Sequence, residues 1–543
     1  MSPGDTADFT PWPDNLARTY REAGYWQGET FSAWLAGLAA QYGDRTALIA
    51  GQTRLSYRDL DARATRMAAH LAAHGLQPGE RAVVQLPNVP EFFDVLFGLL
   101  RLGARPILAL PAHRQREIGF FCTHADAAAY LVADQHAGYD HRLLARDVQA
   151  QAPGLRRVFV LGETAEFTPL QPAAGTPPFS PPAGNAAEVA LYQLSGGSTG
   201  TPKLIPRTHD DYLYSIRASA AICALGPQTV YLAALPLAHN FPLTSPGTLG
   251  MFHAGGQVVL SPAPTPDVAF PLIRQHGVTH TALVPALLQV WLQAAEQAGG
   301  PGLSSLRCVQ VGGAPLSPDT ARQVPARLGA EVQQVFGMAE GLVNYVRPGT
   351  PLERAACTQG HPISPHDEVR VVDDEDRPVP DGTPGHLLTR GPYTIRGYFR
   401  APEHNARAFT PDGFYRTGDL VTRWPDGALT VTGRHKDQIN RAGEKIAAEE
   451  IEHALLLHPQ VRGAALVGVP DPWLGERSCA FVQPASPTPP GLALTLRRHL
   501  QALGLAAYKI PDRIELLDEL PRTAVGKLDK PALRARMAPR STP

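Results

Sequence analysis

The feature that most constrains this chain is an alternation of short apolar runs with helical apolar segments, first met between about Arg45 and Asp134. Ala82-Val83-Val84-Gln85-Leu86 has the composition of a buried strand, ended by Pro87. Pro90 opens an apolar helix that runs to Leu102, and Pro106-Ile107-Leu108-Ala109-Leu110 reads as the next strand. Strand, helix, strand at this spacing is a β-α-β unit, which implies a parallel sheet covered by helices.

The pattern returns between about Val189 and Met338, with strand-like segments at Val230–Leu235, Val258–Leu260 and Val309–Val311. A Pro-rich bridge, with prolines at 169, 172, 177, 178, 181 and 182, links the two stretches. After Gly360 short β-type runs are separated by Asp381-Gly382, Pro384-Gly385, Asp412-Gly413 and Asp426-Gly427, the texture of a β-rich subdomain. Past Gly433 the chain predicts a helix over Ala447–Leu457, a strand over Ala464–Val469, and a second Pro-rich joint (Pro484 to Pro490) before a final helix. The expected class is α/β: a large N-terminal domain of two doubly wound α/β subdomains plus a β-rich subdomain, then a small α+β lid. The division is expected between 435 and 436, giving 1–435 and 436–543.

Composition excludes several functions. Lys and Arg total 49 against 50 Asp and Glu, so no basic field exists for nucleic acid. The five cysteines are odd in number, far apart, and form no C-x-x-C pair, which argues against disulfide or zinc scaffolds and for a reducing compartment. The first residues lack the basic and apolar regions of a secretory signal. The most apolar stretch, Phe92–Leu102, carries Asp94 and Arg101 and is about half a membrane span. A cytoplasmic protein with no membrane partner is expected.

Chemistry enters at Ser195-Gly196-Gly197-Ser198-Thr199-Gly200-Thr201-Pro202-Lys203, directly after the apolar run Val189–Leu194. Glycine amides and hydroxyls can close around phosphate oxygens, and the lysine offsets their charge. The loop is not a Walker motif: two residues separate Gly200 from Lys203, and Leu204 stands where a magnesium-binding hydroxyl would be needed.

This string resembles the signature loop of the adenylate-forming ligase superfamily, which reads T-S-G-T-T-G-x-P-K in most members. Gly196 replaces the usual serine, as in the aryl-acid adenylating ligases of siderophore pathways. Four further strings agree in order: Phe336-Gly337-Met338-Ala339-Glu340-Gly341, Tyr415-Arg416-Thr417-Gly418-Asp419, Gly433-Arg434-His435-Lys436-Asp437-Gln438-Ile439 and Pro521-Arg522-Thr523-Ala524-Val525-Gly526-Lys527.

The resemblance implies that a carboxylate attacks the α-phosphorus of ATP, with release of pyrophosphate. It gives Lys527 the role of bridging the two anions and Lys203 with Ser195–Gly200 that of holding the β- and γ-phosphates. Glu340 becomes the magnesium ligand, Asp419 and Arg434 the ribose contacts, and Gly312-Gly313-Ala314 the adenine shelf, closed by Val335, Phe336 and Gly337. Lys436 takes the hinge position, and Gly443-Glu444-Lys445 would line the path of a pantetheine arm on a separate aryl carrier protein. His239, Asn240, Ser245 and Val343 fall at acyl-pocket positions, with His239 either a wall or an acid/base group. Amino-acid-specific relatives use aspartate where Asn240 stands, so an aryl acid is implied. Serine and valine, where salicylate-type relatives tend to carry cysteine and leucine, favour 2,3-dihydroxybenzoate. Salicylate–AMP ligase and aromatic acyl-CoA ligase are the alternatives.

Overall fold

The computed structural model describes residues 8–173, 179–195, 202–299, 302–313, 316–434, 438–485, 488–521 and 530–537. The helix Pro90–Leu102 begins with proline in its first turn and stops at Gly103, whose left-handed backbone ends it. Every side chain from Phe92 to Leu102 is buried because the helix lies between two sheets. The two charges within that buried stretch are neutralised by the neighbouring helix Tyr57–Ala73: Arg63 Nε donates to Asp94 Oδ1 at 2.8 Å, and Arg101 Nη2 pairs with Asp61 Oδ1 at 2.5 Å. Among the described residues no helix is long and apolar enough to cross a membrane.

One flanking sheet has seven strands, in the order 203–208, 189–195, 105–108, 81–85, 129–133, 157–161 and 168–169. It is parallel except for the antiparallel pair Val189–Ser195 and Lys203–Thr208. The other has nine strands, with a parallel centre running from Glu331–Met338 across to Thr46–Ala50 and antiparallel strands at both edges. Helices cover the outer face of each, so the body is a stack of helix, sheet, helix, sheet and helix layers.

The two stretches do not map one to one onto the two sheets. Thr46–Ser56, early in the chain, joins the nine-stranded sheet, whereas Val189–Thr208 closes the edge of the seven-stranded one. The exchange interlocks both sheets around the apolar layer they share. The β-rich part is a four-stranded antiparallel sheet, Glu368–Val372, Pro384–Arg390, Tyr415–Arg423 and Leu429–Arg434.

A separate sheet begins at Gln438 and carries Gln438–Arg441, Glu444–Ala447, Val461–Asp471, Gly475–Pro484 and Arg513–Leu516. Among the described residues two α-helices, not one, follow the second Pro-rich joint: Leu492–Ala502 and Lys530–Met537. The strand Arg513–Leu516 comes between them, because its parallel pairing with Gly475–Pro484 requires a crossover.

Gly360 ties the body to the β-rich sheet, accepting from Leu429 N at 2.9 Å. Its φ is +72°, and a Cβ there would sit 1.9 Å from the Tyr345 carbonyl oxygen. Gly360→Ala is therefore expected to lower stability by about 3 kcal/mol, read as a shift of the denaturant midpoint.

Candidate active site

The sheets and the C-terminal domain enclose a cleft of about 1240 Å³. One wall grows from the strand Val230–Ala233, which leads into the short helix Asn240–Thr244. His239 caps that helix, its Nδ1 accepting from Phe241 N at 3.3 Å. Its side chain opens into the cleft but is ringed by protein. Lost solvation, with repulsion from Lys445, lowers its pKa to about 4, so the imidazole is neutral at pH 7. Asn240, half-buried, and Ser245, buried, line the same wall. Val343 lies one layer deeper: it pairs with Gly337 in the antiparallel register, and its side chain packs behind that glycine, which lines the cleft.

The opposite wall is polar. Ser195 and Lys203 face each other as the last register pair of an antiparallel hairpin, so they bracket the Gly-rich loop. Gly196, Gly197, Ser198, Thr199 and Gly200 lie outside the described residues. The buried Ser195 Oγ meets no hydrogen-bond partner among the described residues. Lys203 Nζ lies 5.9 Å from the centre of the Tyr398 ring.

Glu340 sits in the turn between Glu331–Met338 and Gly341–Tyr345. Tyr398 donates to its Oε1 at 2.8 Å and is itself 2.8 Å from the Tyr415 hydroxyl. Burial, reinforced by Glu340 and Tyr415, holds the Tyr398 hydroxyl well above the ordinary phenol range, so it stays a donor. Among the described residues no three His, Cys, Asp or Glu side chains cluster as a metal cage. A lone braced carboxylate of this kind fits magnesium, which keeps waters and phosphate oxygens as its remaining ligands.

Asp419 is buried on the strand Tyr415–Arg423, its own N–H donating to Thr417 Oγ1 at 3.0 Å, and it lines the cleft. The Arg434 backbone is its partner across the sheet. At the end of Cys308–Gly312, Gly312 pairs with Val335. A Cβ on Gly312 would approach the Val335 carbonyl to 2.7 Å and the Phe241 ring to 3.2 Å, so a bare backbone is required there. Gly313, Val335, Phe336 and Gly337 line the cleft beside it. Ala314, Lys436 and Lys527 fall outside the described residues.

The C-terminal domain contributes the hairpin Gln438–Ala447, whose Gly443, Glu444 and Lys445 line the cleft. Asn440 Nδ2 donates to the Gly313 carbonyl, and the turn at Gly443 packs on Val284. Burial pushes the Glu444 carboxyl up to about 7.

A buried ion cluster, not foreseen from the sequence, pins this arrangement. Lys509 Nζ lies 3.0 Å from Glu117 Oε1 of the N-terminal body and 3.0 Å from Glu450 Oε2 of its own domain, all three buried. Burial opposes every charge, yet the two carboxylates hold the ammonium above its ordinary range, while Lys509 and His113 keep Glu117 below that of a free carboxylate. Glu450, sharing the same lysine, stays raised by burial. The string Tyr508-Lys509-Ile510 carries no local sign of this role.

One cleft large enough for a nucleotide, with the hairpin that carries Ser195 and Lys203 on one wall and Asn240 and Ser245 on another, has the form of a small-molecule enzyme site. Residues 35–399 match the AMP-binding enzyme family and residues 450–527 the AMP-binding enzyme C-terminal domain, and the chain belongs to this family. It is 57% identical to the 2,3-dihydroxybenzoate-AMP ligase of Bacillus subtilis over 97% of each chain. It is 51% identical to the vibriobactin-specific 2,3-dihydroxybenzoate-AMP ligase of Vibrio cholerae over 98% of each. The solved apo structure of Mycobacterium smegmatis MbtA is similar at 47% identity and a TM-score of 0.76, covering 98% of this chain and 99% of that one.

Lys509→Ala would leave Glu117 and Glu450 buried without their cation, which costs about 3–5 kcal/mol. Small-angle scattering is expected to show an enlarged particle as the domains part; an unchanged profile would refute the pinning role.

Proposed function

We propose that the protein activates an aryl acid, 2,3-dihydroxybenzoate, as its adenylate and then transfers the acyl group to a thiol. In the first step a carboxylate oxygen bonds to the α-phosphorus of ATP and the bond to pyrophosphate breaks. In the second a thiolate bonds to the acyl carbon and AMP leaves. The thiol is the phosphopantetheine of a separate aryl carrier protein, and the enzyme works in siderophore assembly.

Both partners of the first step are anions, so the chain must cancel their repulsion and the charge that builds at phosphorus. Lys527 bridges carboxylate and α-phosphate, and Lys203 with Ser195–Gly200 holds the outer phosphates. Asp419 accepts from the ribose hydroxyls, with Arg434 beside it. Gly312, Gly313 and Ala314 accommodate the adenine, and Val335, Phe336 and Gly337 cover its other side. Glu340, braced by Tyr398, would hold magnesium, which offsets phosphate charge when bound. Asn240 and Ser245 hydrogen-bond the acid, Val343 sets the pocket depth from behind Gly337, and the neutral His239 serves as its wall. The C-terminal domain, from residue 436, turns about Lys436.

The observation that carries this reading is one cleft in which Asn240 and Ser245 face Lys203, Glu340 and Asp419. Asn240 is an amide and offers no negative charge to hold the ammonium of an amino acid, whereas an amide and a hydroxyl suit ring oxygens.

Acid-dependent ATP–pyrophosphate exchange is expected with 2,3-dihydroxybenzoate and is expected to fail with phenylalanine. Exchange with no aryl acid would refute the proposal. Lys527→Ala is expected to cut exchange at least about 100-fold while ATP binding, read by calorimetry, stays within a few-fold.

A further inference from the structure

Asn240 does not stand alone on its wall. Its Oδ1 accepts from the Tyr212 hydroxyl at 2.7 Å, and Thr244 Oγ1 shares its one proton between that Oδ1 at 3.2 Å and the Asn240 backbone carbonyl at 3.1 Å. The Tyr212 oxygen in turn accepts from Gln193 Nε2 at 2.9 Å. Each link in this chain runs one way. A phenol has one proton; since Gln193 donates to its oxygen, that proton goes to Asn240. A carboxamide has one acceptor end and one donor end, and here the acceptor end is taken.

We propose that Tyr212 is a positioning residue: by fixing the Asn240 carboxamide, it turns Nδ2 into the cleft as a donor and makes the pocket select acids that carry an oxygen ortho to the carboxylate. This rests on the aryl-acid reading. Such an acid offers two adjacent acceptors, the carboxylate and the 2-oxygen, to a donor locked in place. An acid lacking the 2-oxygen leaves that donor unpaired on a partly buried wall, which is how hydrogen-bonding pockets discriminate.

The relay is stiff at both ends. Tyr212 is fully buried, and burial pushes its hydroxyl up to about 12, so it keeps its proton across the working range. The Arg207 guanidinium covers its ring at 4.5 Å. Arg207 is held by Asp211, with Nε 2.7 Å from Oδ1, and by the Ala339 carbonyl at 2.8 Å from Nη1. Asp211 also closes the first turn of the helix His209–Ile222 by accepting from Thr208 N at 2.7 Å.

The test compares kcat/KM in pyrophosphate exchange for 2,3-dihydroxybenzoate and for 3-hydroxybenzoate, which lacks the ortho oxygen. Tyr212→Phe is expected to lower the ratio between the two acids about tenfold, with the KM for ATP within about twofold. In an Asn240→Ala background the same change is expected to leave the ratio unaltered, because the group it positions is gone. Thr244→Val, which keeps the buried ring, is expected to lower the ratio in the same direction by about threefold. An unchanged ratio in both Tyr212→Phe and Thr244→Val, an equal fall for both acids, or an undiminished effect in the Asn240→Ala background overturns the proposal alone. Wild-type enzyme that exchanges with neither of these acids nor with salicylate overturns the aryl-acid reading beneath it.

Discussion

Arg207 is the interaction on which the site depends. Its charge is buried at 2% exposure against Asp211 at 0%, an i,i+4 pair spanning the junction of the strand Lys203–Thr208 and the helix His209–Ile222. A buried pair of this kind costs desolvation and is weak grounds for stability, but its geometry is unforgiving. From one guanidinium the structure reaches the residue before Glu340, through the Ala339 carbonyl, and the residue that orients Asn240, through the Tyr212 ring. The strand that carries it also carries Lys203 at its other end. The wall that carries Lys203 and Glu340 and the wall that carries Asn240 are thus referenced to the same buried cation.

The second constraint joins the domains. Lys509, Glu117 and Glu450 form a cluster whose members tolerate burial only together, so the C-terminal domain has a defined seat on the N-terminal body. In that seat the hairpin Gln438–Ala447 forms part of the cleft, with Lys445 close enough to His239 to help keep its ring neutral. Charge that holds an interface only while it stays dry gives an all-or-none contact.

Much of this was legible in the sequence where the signal is local. The helix Pro90–Leu102 was expected to the residue, because its proline start and glycine stop act on the backbone beside them. Glu340, Asn240 and Asp419 stood out by motif and do line the cleft. Strand partners were not legible: an apolar run states that it is buried, not which sheet receives it, so the exchange of Thr46–Ser56 and Val189–Thr208 between sheets could be seen only in space. Tyr212, Tyr398 and Lys509 were missed for a related reason. Each is an ordinary residue whose role comes from partners 28, 58 and 392 positions away. Val343, expected at an acyl-pocket position, is set by strand pairing behind Gly337 and not on the surface of the cleft.

The central claim is that the acid's own oxygen attacks phosphorus, and isotope transfer tests it directly. With 2,3-dihydroxybenzoate labelled with oxygen-18 in its carboxyl group, ATP, and hydroxylamine to release the acyl group, the account predicts AMP carrying one heavy oxygen. Unlabelled AMP, or label appearing in phosphate or pyrophosphate, would contradict it.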